Sequence, residues 1–228
     1  MNQKCSVCGG EEFIQHEVLW PELCEAWELS EYEVGYVNRQ QGHCCIGCGS
    51  NMRTRILASA IISGYSELGF FKDIISNAVF LKKKILEINQ AGNLHRHLSQ
   101  HPNHRLIEYP EFDMMNLDLP SEEFDVVIHS DTLEHVPDPL AALKECYRVL
   151  RPGGKCFFTI PIIVDRLTRS RSGMPESYHG NPSEKSGDYL VHTEFGSDAW
   201  KLSFEAGFQL ASIHAIDFPS AIALEVVK

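Results

Sequence analysis

The chain has 228 residues, enough for one full domain and a small appendage. Its formal net charge of −11 repels phosphate backbones, so nucleic acid is a poor partner. No apolar run reaches the ~20 residues of a membrane span, the closest being ILASAII at 56–62, and MNQKCSVCGG lacks the apolar stretch of a secretory signal; a cytoplasmic location is expected.

Residues 1–50 hold six of the eight cysteines, and in a reducing compartment these stay unpaired. CSVC at 5–8 and CIGC at 45–48 form a CxxC…CxxC pair. Two intervening residues let both thiolates of a pair reach one ion from a tight turn, and Gly9 and Gly49 relieve the backbone after each. Cys5, Cys8, Cys45 and Cys48 thus predict a closed tetrahedral Zn²⁺ site, structural rather than catalytic. The bland alternative is four unligated cysteines in a loop. His43, Cys44 and Cys24 are substitute ligands, although Cys45 fits CxxCG better than Cys44. The gap between the pairs exceeds common finger spacing and predicts a loop or hairpin of its own. Otherwise the segment shows little periodicity.

Residues 51–80 read as a helical connector. Ile56, Leu57, Ala60 and Ile61, then Leu68, Phe71, Ile74 and Ile75, recur at helical spacing, with Gly64 and Gly69 as breaks. Residues 81–228 alternate strand and helix patterns. Strands are expected at 85–89, 106–109, 124–130, 155–161, 208–216 and 221–228, and helices near 92–100, 138–150 and 197–206. DVVIHS and KCFFTI are near-continuous apolar runs, as in a sheet buried on both faces. This is an α/β pattern with a doubly wound, mostly parallel sheet. The last two strands, joined only by Pro219-Ser220, are expected to be antiparallel.

ILEINQAGNLHRHL at 85–98 opens this region as strand, turn and helix, with Gly92 its one glycine. Several glycines are needed where backbone crowds a pyrophosphate. A ligand without phosphates relaxes that demand, and S-adenosylmethionine is such a ligand. Gly92 and the following amides suit its carboxylate, Glu87 its ammonium, Glu108 its ribose hydroxyls and Asp113 its adenine amino group. Each signal alone has an ordinary reading as a solvated strand end. His95, His97, His101 and His104 form a cluster in which 97 and 101 are spaced like a helical metal pair. With no carboxylate or cysteine beside them in sequence, they read as solvated residues.

FDVVIHSDTLEHVPDPLAALKECYRVLRPGGKCFFTIP at 124–161 carries Phe124-Asp125, Leu133-Glu134-His135-Val136, Asp138-Pro139, Arg148-Val149-Leu150 and Arg151-Pro152-Gly153-Gly154. This stretch resembles the class I S-adenosylmethionine-dependent methyltransferases of the type 11 group. CxxCG…CxxCGS-x-x-R-x-R, ending at Arg55, and the segment 177–200 are similar to a zinc-ribbon subgroup of them. The resemblance implies a Rossmann-like seven-strand sheet. It places Glu87, Asn89 and Gly92 on the first motif, Glu108 on the second, Asp113 and Met114 on the adenine loop, and His129, Ser130 and Asp131 where cofactor and acceptor meet. Two departures stand out: GxGxG is absent, and the segment between Glu108 and Phe124 is too short for the usual second helix.

Methyl transfer to a hydroxyl needs positioning and a base. Candidates are His135, Asp131, His179 and Tyr178. His135 has an equal reading as a packing residue before Pro137, and 177–200 reads as a lid or a surface loop. Trp20, Trp27 and Trp200 are expected in cores or at the contact of ribbon and fold. The expected activity is methyl transfer to a small-molecule acceptor such as a sugar or secondary metabolite. The alternative is a non-catalytic methyltransferase-fold module whose ribbon docks a protein partner or a second copy.

Overall fold

The computed structural model describes residues 4–65, 69–178 and 187–228. Along the chain lie β1 (Phe13–Gln15), α1 (Pro21–Ala26), α2 (Glu31–Gly42), β2 (His43–Cys45), α3 (Met52–Tyr65), α4 (Phe71–Ile74), β3 (Ile85–Ile88), α5 (His95–Leu98), β4 (His104–Ile107), β5 (Phe124–Ser130), α6 (Pro139–Val149), β6 (Leu150–Thr159), β7 (Ile162–Ile163), β8 (Arg169–Ser170), β9 (Thr193–Gly196), α7 (Lys201–Glu205), β10 (Leu210–Ile216) and β11 (Ala221–Val227). A six-stranded sheet has the order β10-β11-β6-β5-β3-β4. β4, β3, β5 and β6 run parallel, while β11 and β10 close the edge antiparallel, as the short link at Pro219-Ser220 requires.

The apolar strands bury both faces. On one, Leu86, Ile88, Val127 and Phe158 pack with Leu143, Cys146 and Val149 of α6. α6 starts where Pro139 presets the first turn and Asp138 Oδ1 accepts the Ala141 N–H at 3.0 Å. On the other face, Ile85, Val126, Ile128 and Phe157 pack with Ile56, Leu57, Ala60 and Ile61 of α3. Cys5, Val7, Cys45 and Cys48 belong to the same apolar cluster, so packing runs unbroken from the cysteine segment through α3 to the sheet.

Three expectations change. The sheet has six strands, not seven, because residues 108–123 form only turns between β4 and β5. The expected hairpin between the cysteine pairs exists as β1 against β2, but it encloses α1 and α2, which periodicity did not reveal. Tyr36 apart, the buried side chains of α2 are polar, and that hides it. Glu33 completes a capping box with Ser30, and Asn38 Oδ1 accepts from Val18 N–H and Leu19 N–H. Finally, the segment after β6 is built structure: β7, β9 and β8 form a small sheet, with Glu194 gripped by Arg169 and Arg171.

Candidate active site

The four predicted thiols converge. Cys5 Sγ lies 3.6 Å from Cys48 Sγ, and Cys8 Sγ lies 3.7 Å from Cys45 Sγ. A tetrahedron with metal–sulfur bonds of about 2.3 Å has edges of about 3.8 Å, so the cluster has the size of a Zn²⁺ shell. Gly9 and Gly49 take φ of 84° and 72° and let the N–H of each bond back to the first cysteine of its pair at 2.7 Å. Burial pushes the Cys5 thiol up to about 12, a cost that a bound dication removes.

The second site follows from topology. β3 connects outward to β4, and β5 returns on the other side of β3. Loops after β3 and β5 therefore diverge and leave a crevice at their carboxyl ends. Both strands end on a non-glycine residue with positive φ, Asn89 at 53° and Asp131 at 46°. Such residues are costly and gather where a strand must turn abruptly at a working site.

At the β5 tip, Asp131 pairs with Arg53 of α3 and lies 3.4 Å from Gln41 Nε2. Asp131 Oδ1 and Arg53 Nε are buried and have no hydrogen-bond partner among the described residues. His135 Nδ1 is 3.1 Å from the Leu190 carbonyl oxygen, which can only accept, so Nδ1 carries the proton and Nε2 is the basic atom of the neutral ring. Nε2 is 3.6 Å from Glu134 Oε1. Glu134 is 1% exposed, and burial raises its carboxyl above the usual range. Arg53, Ser130, Asp131 and His135 line a cavity of about 470 Å³.

The rest of the cavity wall comes from residues 18–41 and the start of β7, including Leu19, Trp20, Leu23, Trp27 and Ile162. Arg166 holds this wall in place. Its guanidinium donates to Glu33 Oε1 at 2.8 Å, Trp27 O at 2.7 Å and Glu28 O at 2.8 Å, while Trp27 Nε1 donates to Ser177 Oγ at 2.8 Å. Trp27 therefore sits at the contact of cysteine segment and fold, as expected. Trp200 is half-exposed beside Phe204.

The β3 tip is different. Glu87, matched in the sequence to a cofactor ammonium, is fully buried and engaged: Oε1 accepts from Ala91 N–H and Oε2 lies 2.8 Å from both His95 and His104. Through Ala91 it holds the 89–94 loop. His95 and His104 thus do have a carboxylate partner, supplied by a neighbouring strand. His101 is buried, with Nε2 3.1 Å from Phe80 O, which also removes it from solvent. Asn89 Oδ1 accepts Tyr109 N–H, Gly92 has φ 54°, and Glu108 is exposed beside Gln90. Asp113 is exposed and turns back to Met115 N–H, while Met114 is 5% exposed in the core.

His129 is corrected most clearly. It is 0% exposed and stacks on Phe158 with centroids 4.8 Å apart, because its position in β5 points into the apolar layer. Ser130 lines the cavity and shares a 2.7 Å hydrogen bond with Thr159. Tyr178 lies outside the cavity wall, donating to Glu176 Oε2, and His179 falls outside the described residues. Arg53 and Gln41 were not singled out from sequence, and Glu134, Trp20 and Trp27 were named there without a site role. Only the R-x-R after Cys48 pointed to Arg53: Arg55 turns to the cysteine segment, where its guanidinium lies 4.5 Å over the Phe13 ring, and Arg53 turns to the crevice.

A family described as "Methyltransferase domain" matches residues 44–158. Ubiquinone biosynthesis O-methyltransferases of Pseudomonas putida and of Pseudomonas savastanoi pv. phaseolicola are 53% and 50% identical to the chain over 38 residues. That stretch is 17% of this chain and spans 16% of the length of those curated relatives. Among solved structures, a methyltransferase from Mesorhizobium loti is 14% identical, covering 64% of this chain and 91% of its own, with a TM-score of 0.43. A possible histamine N-methyltransferase from Thermotoga maritima is 16% identical, covering 64% and 83%, with a TM-score of 0.40.

Proposed function

This chain belongs to the Methyltransferase domain family, and on that premise we propose that it methylates a hydroxyl of a small molecule held in the cavity between the residue 18–41 wall and the tip of β5. When bound, S-adenosylmethionine supplies an electrophilic methyl on its sulfonium. The observation that carries the proposal is the pair of unsatisfied buried atoms at the cavity wall, Arg53 Nε and Asp131 Oδ1. A guanidinium donor beside a carboxylate acceptor suits the carboxylate and ammonium of an α-amino acid. Glu108, exposed at the β4 end, is left for ribose hydroxyls, with Asn89 and Gly92 shaping the loop between and Asp113 free to reach the adenine edge.

Asp131 is engaged by Arg53, which makes it an anchor rather than a base. His135 is therefore assigned as the general base. Its Nε2 takes the acceptor proton as the oxygen–carbon bond forms, and the neighbouring Glu134 carboxyl stabilises the imidazolium. The aromatic and aliphatic walls exclude water and suit an acceptor with an apolar body, such as a secondary metabolite or the apolar face of a sugar. Under this reading the cysteine segment is part of the acceptor site through its fixed wall, and its Zn²⁺ is structural.

Titration calorimetry of the full chain with S-adenosylmethionine and its demethylated product tests the proposal. Micromolar binding that weakens tenfold or more in Arg53→Met is expected. Absence of heat with both compounds would instead favour the non-catalytic module, although the open cavity speaks for a ligand.

A further inference from the structure

The cysteine cluster is not the only convergence of metal-ligating groups. β3 and β4 pair in parallel with Ile85 opposite His104 and Glu87 opposite Leu106. Side chains alternate along a strand, so Glu87 and His104 share one face of the sheet. α5 passes over that face and brings its first residue, His95. Three separate elements thus deliver a carboxylate and two imidazoles to one point. Glu87 Oε2 lies 2.8 Å from His95 Nδ1 and 2.8 Å from His104 Nε2, and one ligand atom from each residue lies within 4.8 Å of the others.

The geometry points to a second metal site here, for a divalent first-row transition ion of Zn²⁺ type, held by Glu87, His95 and His104. Two imidazoles and one carboxylate form the N₂O donor set that suits borderline ions, with a fourth position for water. Ala91 N–H bonds Glu87 Oε1 at 2.8 Å and so fixes the carboxylate with Oε2 toward both rings, as hydrogen bonds to ligating carboxylates do in metal sites. Glu87 is fully buried, His104 has 7% of its side chain exposed and His95 has 26%. The carboxylate is therefore sheltered, while the His95 side gives an ion and a water molecule entry. No Lys or Arg ion-pairs with Glu87 among the described residues, and its partners are the two imidazoles and the Ala91 N–H.

Occupancy would tie β3, β4 and α5 together around residues 89–94. That loop has a single glycine, Gly92, and Ala91 within it is bonded to the same carboxylate. The ion would act as a clamp on the loop, independent of what the crevice binds.

The two sites separate by chemistry. Cys5, Cys8, Cys45 and Cys48 offer thiolates, whereas this one offers none. The full chain, first loaded with one equivalent of Zn²⁺, is titrated with Co²⁺ and with Zn²⁺ by calorimetry and visible spectroscopy. One further equivalent should bind, with weak ligand-field bands and no thiolate charge-transfer band. His95→Ala should weaken that equivalent at least tenfold and leave the thiolate-bound ion in place. His95 heads a short surface helix, so its substitution spares the core; His104→Gln is the supporting variant. Saturation at a single ion per chain, or a second equivalent indifferent to His95→Ala, would show an internal hydrogen-bonded triad only.

Discussion

The tips of β3 and β5 stand side by side at the same crevice and are built in opposite ways. The β3 tip is open: Glu108 and Asp113 are exposed, and its one buried carboxylate, Glu87, is engaged by three partners. The β5 tip is more closed: Glu134 is buried, and the half-buried Asp131 and Arg53 each keep one buried polar atom without a partner among the described residues at a cavity wall. Buried polar atoms without partners are expensive, and they persist where a ligand completes them. On the proposed reading, binding specificity resides mainly at the β5 tip, and the β3 tip serves as scaffold and ribose contact.

The strongest way to break this contrast is to remove what supports both tips. Cys48 O accepts from Asn93 Nδ2 of the β3 loop at 3.0 Å, and Arg53 of the β5 site lies five residues beyond Cys48. Structural zinc in small peptides is worth on the order of 10 kcal/mol of folding free energy. Cys48→Ser, or metal stripping with a strong chelator, should therefore give the largest loss. The expected outcome is a greatly lowered melting temperature by calorimetry, with cofactor binding abolished.

A cut confined to the β5 side is smaller. His135→Gln should lower turnover by about 10²–10⁴-fold, the usual contribution of a positioned base, while leaving cofactor affinity within about threefold. Product formation measured as released S-adenosylhomocysteine, set against calorimetric affinity, separates the two. Equal losses in both would make His135 a packing residue.

Burial at this strand also sets a pH response. Burial pulls the His129 imidazole down to about 3, against about 6.5 in an unfolded chain. The folded state thus refuses a proton that the unfolded state accepts. Stability is complete above pH ~6.5 and falls as pH drops toward 3, by about 1.4 kcal/mol per pH unit for this one proton. Urea unfolding between pH 6.5 and 4 should show a shallower decline in His129→Phe than in the parent chain.

The gentlest test addresses the β3 side. Glu108→Gln removes one exposed carboxylate beside Gln90 and should weaken cofactor binding only about fivefold, near 1 kcal/mol. A loss of a hundredfold or more by calorimetry would invert the ranking of the two tips.

Local patterns were enough for much of this molecule. The CxxC spacing brought out the thiol cluster, the apolar runs brought out β3, β5, β6 and α3, and the tight Pro219-Ser220 link set the antiparallel edge. These features depend on residues close in sequence or on a buried-strand composition. α2 was missed because, Tyr36 apart, its buried side chains are the polar Glu33, Asn38 and Gln40, and Glu33 and Asn38 find partners at Arg166 and Val18 elsewhere in the chain. His129 was misplaced because a polar residue in an apolar strand is indistinguishable from a site residue until its direction is known.

The amino-acid sequence by itself determined the α/β alternation, the metal-ligating spacing and the neighbourhood of the crevice, since hydrophobic period and turn chemistry are local. Only the tertiary structure decided which charges face that crevice. Arg53 meets Asp131 across 78 positions, Arg166 meets Glu33 across 133, and His104 reaches Glu87 from an adjacent strand. Such pairs arise from strand order and helix docking, and a one-dimensional pattern carries no record of either.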